Sequence, residues 1–117
     1  MDAKQLETNL AQFTGTENYY RFNLFLPKAK MTDGAKYLAE TVGCFWLYDI
    51  LCSVQNLPKV RAEEFQVLKF NKTKMLVTVE DGNYNVLYSQ EIPSTDFPLD
   101  EIMLYFTNNV LLLPSEN

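Results

Sequence analysis

Asp49 is the residue in this sequence whose surroundings point most directly to chemistry. It is the single charge within residues 45–54, FWLYDILCSV, where almost every other side chain is apolar. A carboxylate buried without partners costs several kcal/mol, and such environments also shift the pKa values of catalytic acids. We predict a buried acid, either satisfied by hydrogen bonds or functional in a pocket. Because no second acid lies nearby in the sequence, we favour the structural alternative.

The sequence contains no histidine, which limits the reactions that the protein could catalyse. Its absence removes the commonest general base, the usual zinc ligand and every Ser–His or Cys–His pair. Residues 81–92 begin like a calcium-binding loop, but Val86 and Ile92 stand where that loop needs Gly and a bidentate Glu. No glycine-rich phosphate-binding loop is present. We therefore expect a non-catalytic protein with no metal and no cofactor.

Charged residues are distributed unevenly along the chain. The net charge is −5, yet all ten Lys and Arg residues precede residue 75, and residues 75–117 carry seven acids and no base. This segment is either a solvated edge that aids solubility or a surface for a basic partner, such as another protein's nucleic-acid-binding groove. The acidic balance argues against direct binding of nucleic acid. The candidate partner-binding residues are Glu80, Asp81, Glu91, Asp96, Asp100 and Glu101.

Helical patterns occupy two parts of the chain. Residues 2–13 place apolar side chains on one face of a short helix. Residues 32–55 form the longest helical pattern, with Thr32 as N-cap. Gly43 is either a cap that separates two helices or a tolerated interior glycine, and we favour a break there. The second half is apolar almost all round, so it must be buried on most sides.

The rest of the chain alternates with the period of strands. We predict strands at residues 19–26, 65–70, 75–80 and 84–92, with Asp81-Gly82-Asn83 as a hairpin turn. Residues 99–109 fit both a helix and a strand, and we favour a hairpin that continues into residues 110–113. The predicted fold is a single α+β domain over residues 1–117. Two or three helices pack on one face of an antiparallel sheet of about four to six strands.

The sequence also predicts a compartment. Cys44 and Cys52 lie roughly 12 Å apart along the predicted helix, too far for a disulfide, so we expect buried thiols in a reducing compartment. The N-terminus lacks the basic and apolar regions of a signal peptide, and no apolar run is long enough to span a bilayer. We predict a cytoplasmic protein that does not bind membranes.

Several stretches resemble a family of small bacterial and phage proteins known as a domain of unknown function. The YLAE…G…W-L-x-D pattern and the final VLLLPSE are the most specific of them. The resemblance implies that genes of this kind are found in phages, plasmids and other mobile elements. It carries over no catalytic residues. The matching stretches are FTGTENYYR (13–21), TDGAKYLAETVGCFWLYDI (32–50), KVRAEEFQVLKF (59–70), EDGNYNVLYSQEI (80–92) and TDFPLDEIMLYFTNNVLLLPSE (95–116).

Three functional hypotheses follow. The favoured one is a non-catalytic binding protein of a phage or mobile element whose acidic surface occupies a host protein. An inhibitor of a nucleic-acid-guided defence nuclease would fit, since such targets present basic channels. The second is a housekeeping interaction module or homodimer that uses residues 110–113 and an aromatic sheet face. The third is a small enzyme that uses Asp49, and it requires a pocket with a second polar group.

Overall fold

The computed structural model describes residues 2–117, which form four helices and seven strands. The helices are α1 (Ala3–Ala11), α2 (Asp33–Val42), α3 (Phe45–Ser53) and the single turn α4 (Pro58–Arg61). A 3-10 turn, Pro114–Glu116, follows the last strand. The strands are β1 (Tyr19–Arg21), β2 (Lys30–Thr32), β3 (Phe65–Asn71), β4 (Leu76–Asp81), β5 (Val86–Glu91), β6 (Glu101–Thr107) and β7 (Val110–Leu112).

All seven strands belong to one sheet with the order β1-β2-β7-β6-β3-β4-β5. Neighbouring strands are antiparallel except β2 and β7, which are parallel. The α+β class is confirmed. The sheet has more strands than the four to six expected, and it is mixed rather than purely antiparallel.

Both predicted ends of α2 are confirmed. The Thr32 hydroxyl accepts a hydrogen bond from the Ala35 amide at 3.2 Å, as an N-cap does. Gly43 ends the helix with φ +69°, a left-handed conformation that glycine adopts without steric cost. The helix α3 then begins two residues later, and the buried Tyr48 hydroxyl donates to the Ala35 carbonyl at 2.7 Å. The long helical pattern is therefore two helices joined at a glycine break.

The predicted strands of the C-terminal half are confirmed. The central strand β3 pairs with β4 and β6, and its inward side chains Leu68 and Phe70 are fully buried in the core. Residues 101–112 form the favoured hairpin, whose turn residues Asn108 and Asn109 have φ +52° and +61°. Positive φ at both central residues gives the twist that two adjacent antiparallel strands require. This local backbone requirement explains why Asn occupies both positions.

The strand predicted over residues 19–26 is wrong beyond Arg21. The side chain of Asn23 accepts hydrogen bonds from the Phe25 amide at 2.9 Å and the Leu26 amide at 3.2 Å. These bonds replace a strand ladder with a tight turn, a competition that short polar side chains often win. The chain then returns as β2, a strand that the sequence pattern did not indicate.

Two of the four side chains in the dimer interface predicted at residues 110–113 lie in the core, and the rest of that interface stays a prediction. These residues form and follow β7, which lies inside the sheet between β2 and β6. Leu111 and Leu113 belong to the hydrophobic core. Their side chains are therefore committed to the fold and not available to a partner.

The side-chain carboxylate of Glu116 links the segment after β7 to the junction of β2 and α2. One oxygen of Glu116 accepts from the Thr32 hydroxyl at 2.6 Å and the Leu113 amide at 3.0 Å, and the other accepts from the Gly34 amide at 3.1 Å. A negative charge at the start of α2 is also favoured by the helix dipole. A Cβ at Gly34 would lie 2.6 Å from the Glu116 carboxylate and 2.6 Å from the Leu113 side chain, so any larger residue would displace one or both of them.

We expect Glu116→Ala to lower the free energy of unfolding by about 1–3 kcal/mol, because three donors lose a charged acceptor. Urea unfolding followed by circular dichroism measures the loss. The control is Ser115→Ala, which changes an exposed neighbour and should shift the urea midpoint little. Equal midpoints for Glu116→Ala and the wild type would contradict the structural role of this carboxylate.

Candidate partner-binding site

The expectation that Asp49 is a buried acid is wrong, because its side chain is exposed. The helix α3 has a solvent-facing stripe at i, i+4 and i+8, formed by Phe45, Asp49 and Ser53. The apolar Phe45 on this stripe made the segment look buried on all sides. The buried face of α3 carries Leu47, Tyr48, Leu51 and Cys52.

The most exposed large apolar side chains lie on the turn between β1 and β2. Leu24 is 94% exposed and Phe25 is 92% exposed. The two Asn23 hydrogen bonds hold the backbone of this turn, so both side chains are presented on a defined conformation. We call residues 22–26 the apolar turn. Two adjacent large apolar side chains in water are typical of an interaction surface.

A groove separates the apolar turn from α3. It has a volume of about 620 Å³, within the usual range of ligand pockets. Asn23 and Asp49 face each other across it, with 3.5 Å between the Asn23 amide nitrogen and the carboxylate. The lining residues on the α3 side are Asp49, Cys52, Ser53 and Asn56. Leu24 and Phe25 line the same groove from the other side. The projecting apolar turn therefore lies directly beside the groove.

The charges around this site have opposite signs on its two sides. Arg21, Lys28 and Lys30 are exposed and flank the apolar turn, and residues 18–32 contain no acid. On the other side of the groove Asp49 supplies a carboxylate. The site therefore offers apolar, cationic and anionic contacts within one patch.

The groove lacks an activated nucleophile. Burial, reinforced by the neighbouring Asp49, raises the pKa of the Cys52 thiol to about 12, so this thiol stays protonated at neutral pH. The Ser53 hydroxyl donates to the Ile50 carbonyl at 2.8 Å, within its own helix. These groups can form hydrogen bonds, and neither is arranged for attack on a substrate.

The acids predicted to form one partner-binding surface are divided among different places. Glu80 is only 8% exposed, and its carboxylate contacts Lys69 at 3.0 Å and the Thr78 hydroxyl at 3.0 Å. Asp81 lies at the β4–β5 hairpin, where it accepts from the Asn83 and Asn85 amides. These two carboxylates serve the fold locally.

The other four acids are exposed and lie toward one end of the sheet. Glu101, Asn71, Leu76 and Glu91 follow one another across β6, β3, β4 and β5 in the strand register. The β3–β4 turn at this end carries Lys72 and Lys74, so the region is not free of bases. We call Glu91, Asp96, Asp100 and Glu101 the acidic end; all four are exposed.

A second, larger cleft of about 770 Å³ lies between α1, residues 113–115 and the ends of β3, β4 and β6. The Lys69–Glu80 ion pair lies at one side of it, and Glu7, Lys74 and Glu101 contribute further charges. Most of the remaining lining is apolar. Sequence patterns could not have found this cleft, since its walls come from opposite ends of the chain.

Residues 2–117 contain no group of three or more His, Cys, Asp or Glu side chains placed to hold a metal ion. No helix in the same residues is long and apolar enough to cross a membrane.

Comparison with known proteins assigns the chain to a family. A match to the family extends over residues 4–117, nearly the whole sequence. The chain belongs to DUF6876, a family of unknown function. No curated protein and no solved structure matches it. The resemblance to a family of unknown function is thereby confirmed, and the association with phages and mobile elements stays a prediction.

Two carboxylates of this DUF6876 protein stabilise the fold at neutral pH and lose that effect at acid pH. Hydrogen bonds from Asn85 hold the pKa of Asp81 below its usual range, and those from the Glu17 amide and the Tyr20 hydroxyl do the same for Asp33. A carboxyl with a depressed pKa stabilises the fold above its unfolded pKa of about 3.9. That stabilisation is lost as the pH falls through the lower, folded value.

We expect Asp81→Asn to be less stable than the wild type at pH 7. The difference should shrink at acid pH, as the pH falls below the unfolded pKa of about 3.9 toward the lower folded value and the wild-type carboxyl becomes protonated. Urea midpoints at neutral and at acid pH measure this change. Asn85→Ala should reproduce part of it, because it removes the side-chain hydrogen bond that Asn85 donates to Asp81 at 2.9 Å. A difference in urea midpoint between the wild type and Asp81→Asn that is the same at both pH values would contradict this role of the Asp81 carboxylate.

Proposed function

We propose that this protein is a non-catalytic binding protein that engages another protein through the apolar turn. The observation that carries the proposal is the near-complete exposure of Leu24 and Phe25 on a turn held by Asn23. Burying a Leu or Phe side chain contributes roughly 1.5–3 kcal/mol, so the two could anchor a complex. Such anchors in the middle of an interface supply most of the binding energy.

The surrounding chemistry supports protein rather than nucleic acid as the ligand. The net charge of −5 opposes binding of a polyanion. Asn23, Asp49 and Asn56 line the groove beside the turn and offer polar contacts next to the apolar side chains. An apolar centre with a polar rim is the usual composition of a protein–protein interface.

We extend the proposal to a biological setting. The resemblance to small bacterial and phage proteins supports a role in a mobile element, where a small protein acts by occupying a host protein. Inhibition of a nucleic-acid-guided defence nuclease is the finer form of this proposal, since such enzymes present basic channels to an acidic protein.

The acidic end is a second candidate contact, favoured by the exposure of all four of its carboxylates. Lys72 and Lys74, at the same end of the sheet, reduce the negative charge of this surface. With four acids and two bases, that end has a net charge of −2. We therefore assign the anchoring contact to the apolar turn and a steering role to the acidic end.

We expect Phe25→Ser to lower the affinity for a captured host protein at least about tenfold, because an anchor of this size is lost. The measurement is affinity capture from bacterial lysate followed by titration of the captured protein. Tyr84→Ser is the matched control, since Tyr84 is an aromatic residue that is 81% exposed at the β4–β5 hairpin. Capture that is equally strong in both variants would argue against the apolar turn.

For the acidic end, we expect the triple variant Asp96→Lys/Asp100→Lys/Glu101→Lys to slow association with a basic partner at least about tenfold at low salt. The triple variant Glu17→Lys/Glu40→Lys/Glu64→Lys changes the net charge equally at exposed acids elsewhere. Stopped-flow or surface-based kinetics at low and high salt compare the two. Association rates that are insensitive to salt and equal in both variants would remove the acidic end from the proposal.

A further inference from the structure

We propose that the partner of the apolar turn is a second copy of this chain. Two copies related by a two-fold axis would each insert Leu24 and Phe25 into the groove beside the other's α3. This inference rests on the proposed function, because it names the occupant of the same binding site.

The first argument is shape. Leu24 and Phe25 are almost fully exposed and also line the groove of about 620 Å³ that adjoins α3. A two-fold interface requires one patch to carry both a surface and its complement, since residue i of one copy contacts residue j of the other and the reverse. A patch with a projection directly beside a depression satisfies this condition. A partner of unrelated shape would have to supply both complements itself.

The second argument is charge. The apolar turn is flanked by Arg21, Lys28 and Lys30, and the groove carries Asp49. Within residues 2–117 the ion pair that forms is Lys69–Glu80, so the Asp49 carboxylate has no cationic partner in its own chain. The Asn23 side-chain amide donates to it at 3.5 Å. When the turn of one copy enters the groove of the other, its flanking bases approach this carboxylate. The patch thus complements itself in charge as well as in shape.

The size of the patch sets the expected strength of the dimer. A buried Phe contributes roughly 150–250 Å² to an interface. Two anchors per copy and a polar rim therefore place the interface at the small end of the range for specific complexes. We expect a reversible dimer with a dissociation constant on the order of micromolar.

Sedimentation equilibrium of the full chain, up to about 1 mM, measures this association. The wild type should move from monomer to dimer with rising concentration. Phe25→Ser should raise the dissociation constant at least about tenfold. Tyr84→Ser, which removes an exposed aromatic ring at the β4–β5 hairpin, should leave it unchanged. Circular dichroism of each variant establishes that the fold is intact.

A charge exchange tests the geometry of the contact. Asp49→Lys alone places like charges opposite each other in its homodimer, and so does Arg21→Glu/Lys28→Glu alone. Each should therefore be monomeric at concentrations where the wild type is dimeric. When the two variants are mixed, the lysine introduced into the groove of one copy faces the acids introduced beside the turn of the other, and the unchanged Asp49 faces unchanged bases. The mixture should recover the wild-type dissociation constant to within about threefold.

The outcomes separate this inference from the function on which it rests. A wild type that stays monomeric, together with Phe25-dependent capture of a different protein, overturns the self-association and leaves the proposed function standing. A monomer without any Phe25-dependent capture overturns both. A dimer that is insensitive to Phe25→Ser, or a charge-exchanged mixture that stays monomeric, shows that another surface forms the contact and overturns the inference.

Discussion

The three hydrogen bonds of the Glu116 carboxylate are the constraint on which the rest of the structure depends. They join the end of the chain to Thr32 and Gly34, where β2 becomes α2. With the C-terminus held there, β7 can pair in parallel with β2, and the Lys30 amide donates to the Asn109 carbonyl at 2.8 Å. Because β2 in turn pairs with β1, the apolar turn is fixed at both of its ends. The candidate binding site is thus positioned by a residue about 90 positions away in the sequence.

Local signals predicted the parts of the fold that depend on local physics. The cap at Thr32, the break at Gly43 and the turn at Asn108 each follow from the conformational preferences of a few residues. The strand β2 depends instead on a parallel partner about 80 residues away, and it is only three residues long, two of which pair with that partner. Nothing within those three residues distinguishes a strand from a connection. The turn after Arg21 was missed for a different reason, because the Asn23 side chain competes with the strand ladder for the same amides.

Apolar composition contributed both to the error at Asp49 and, beside the Asn23 competition, to the error at residues 22–26. Both predictions took apolar composition as evidence of burial within the chain. Phe45 on α3 is 38% exposed and Leu24 on the turn is 94% exposed, although the sequence pattern placed both on buried faces. Composition indicates how much apolar surface there is to bury. It does not say whether that surface is buried within the same chain or against a partner. Segments that look like core in the sequence and are exposed in the fold are therefore where a partner should be sought.

The same distinction applies to charge. The sequence separates acids from bases at residue 75, but the fold pairs Glu80 with Lys69 and brings Lys72 and Lys74 to the acidic end. What remains is a modest net charge rather than a strongly negative face, which suits steering better than anchoring. The apolar turn follows β1 at one edge of the sheet, and Glu91 lies on β5 at the other. Six strand spacings, roughly 29 Å, separate those edges. A second copy bound at the turn would therefore leave Glu91, the most distant member of the acidic end, open to a different partner.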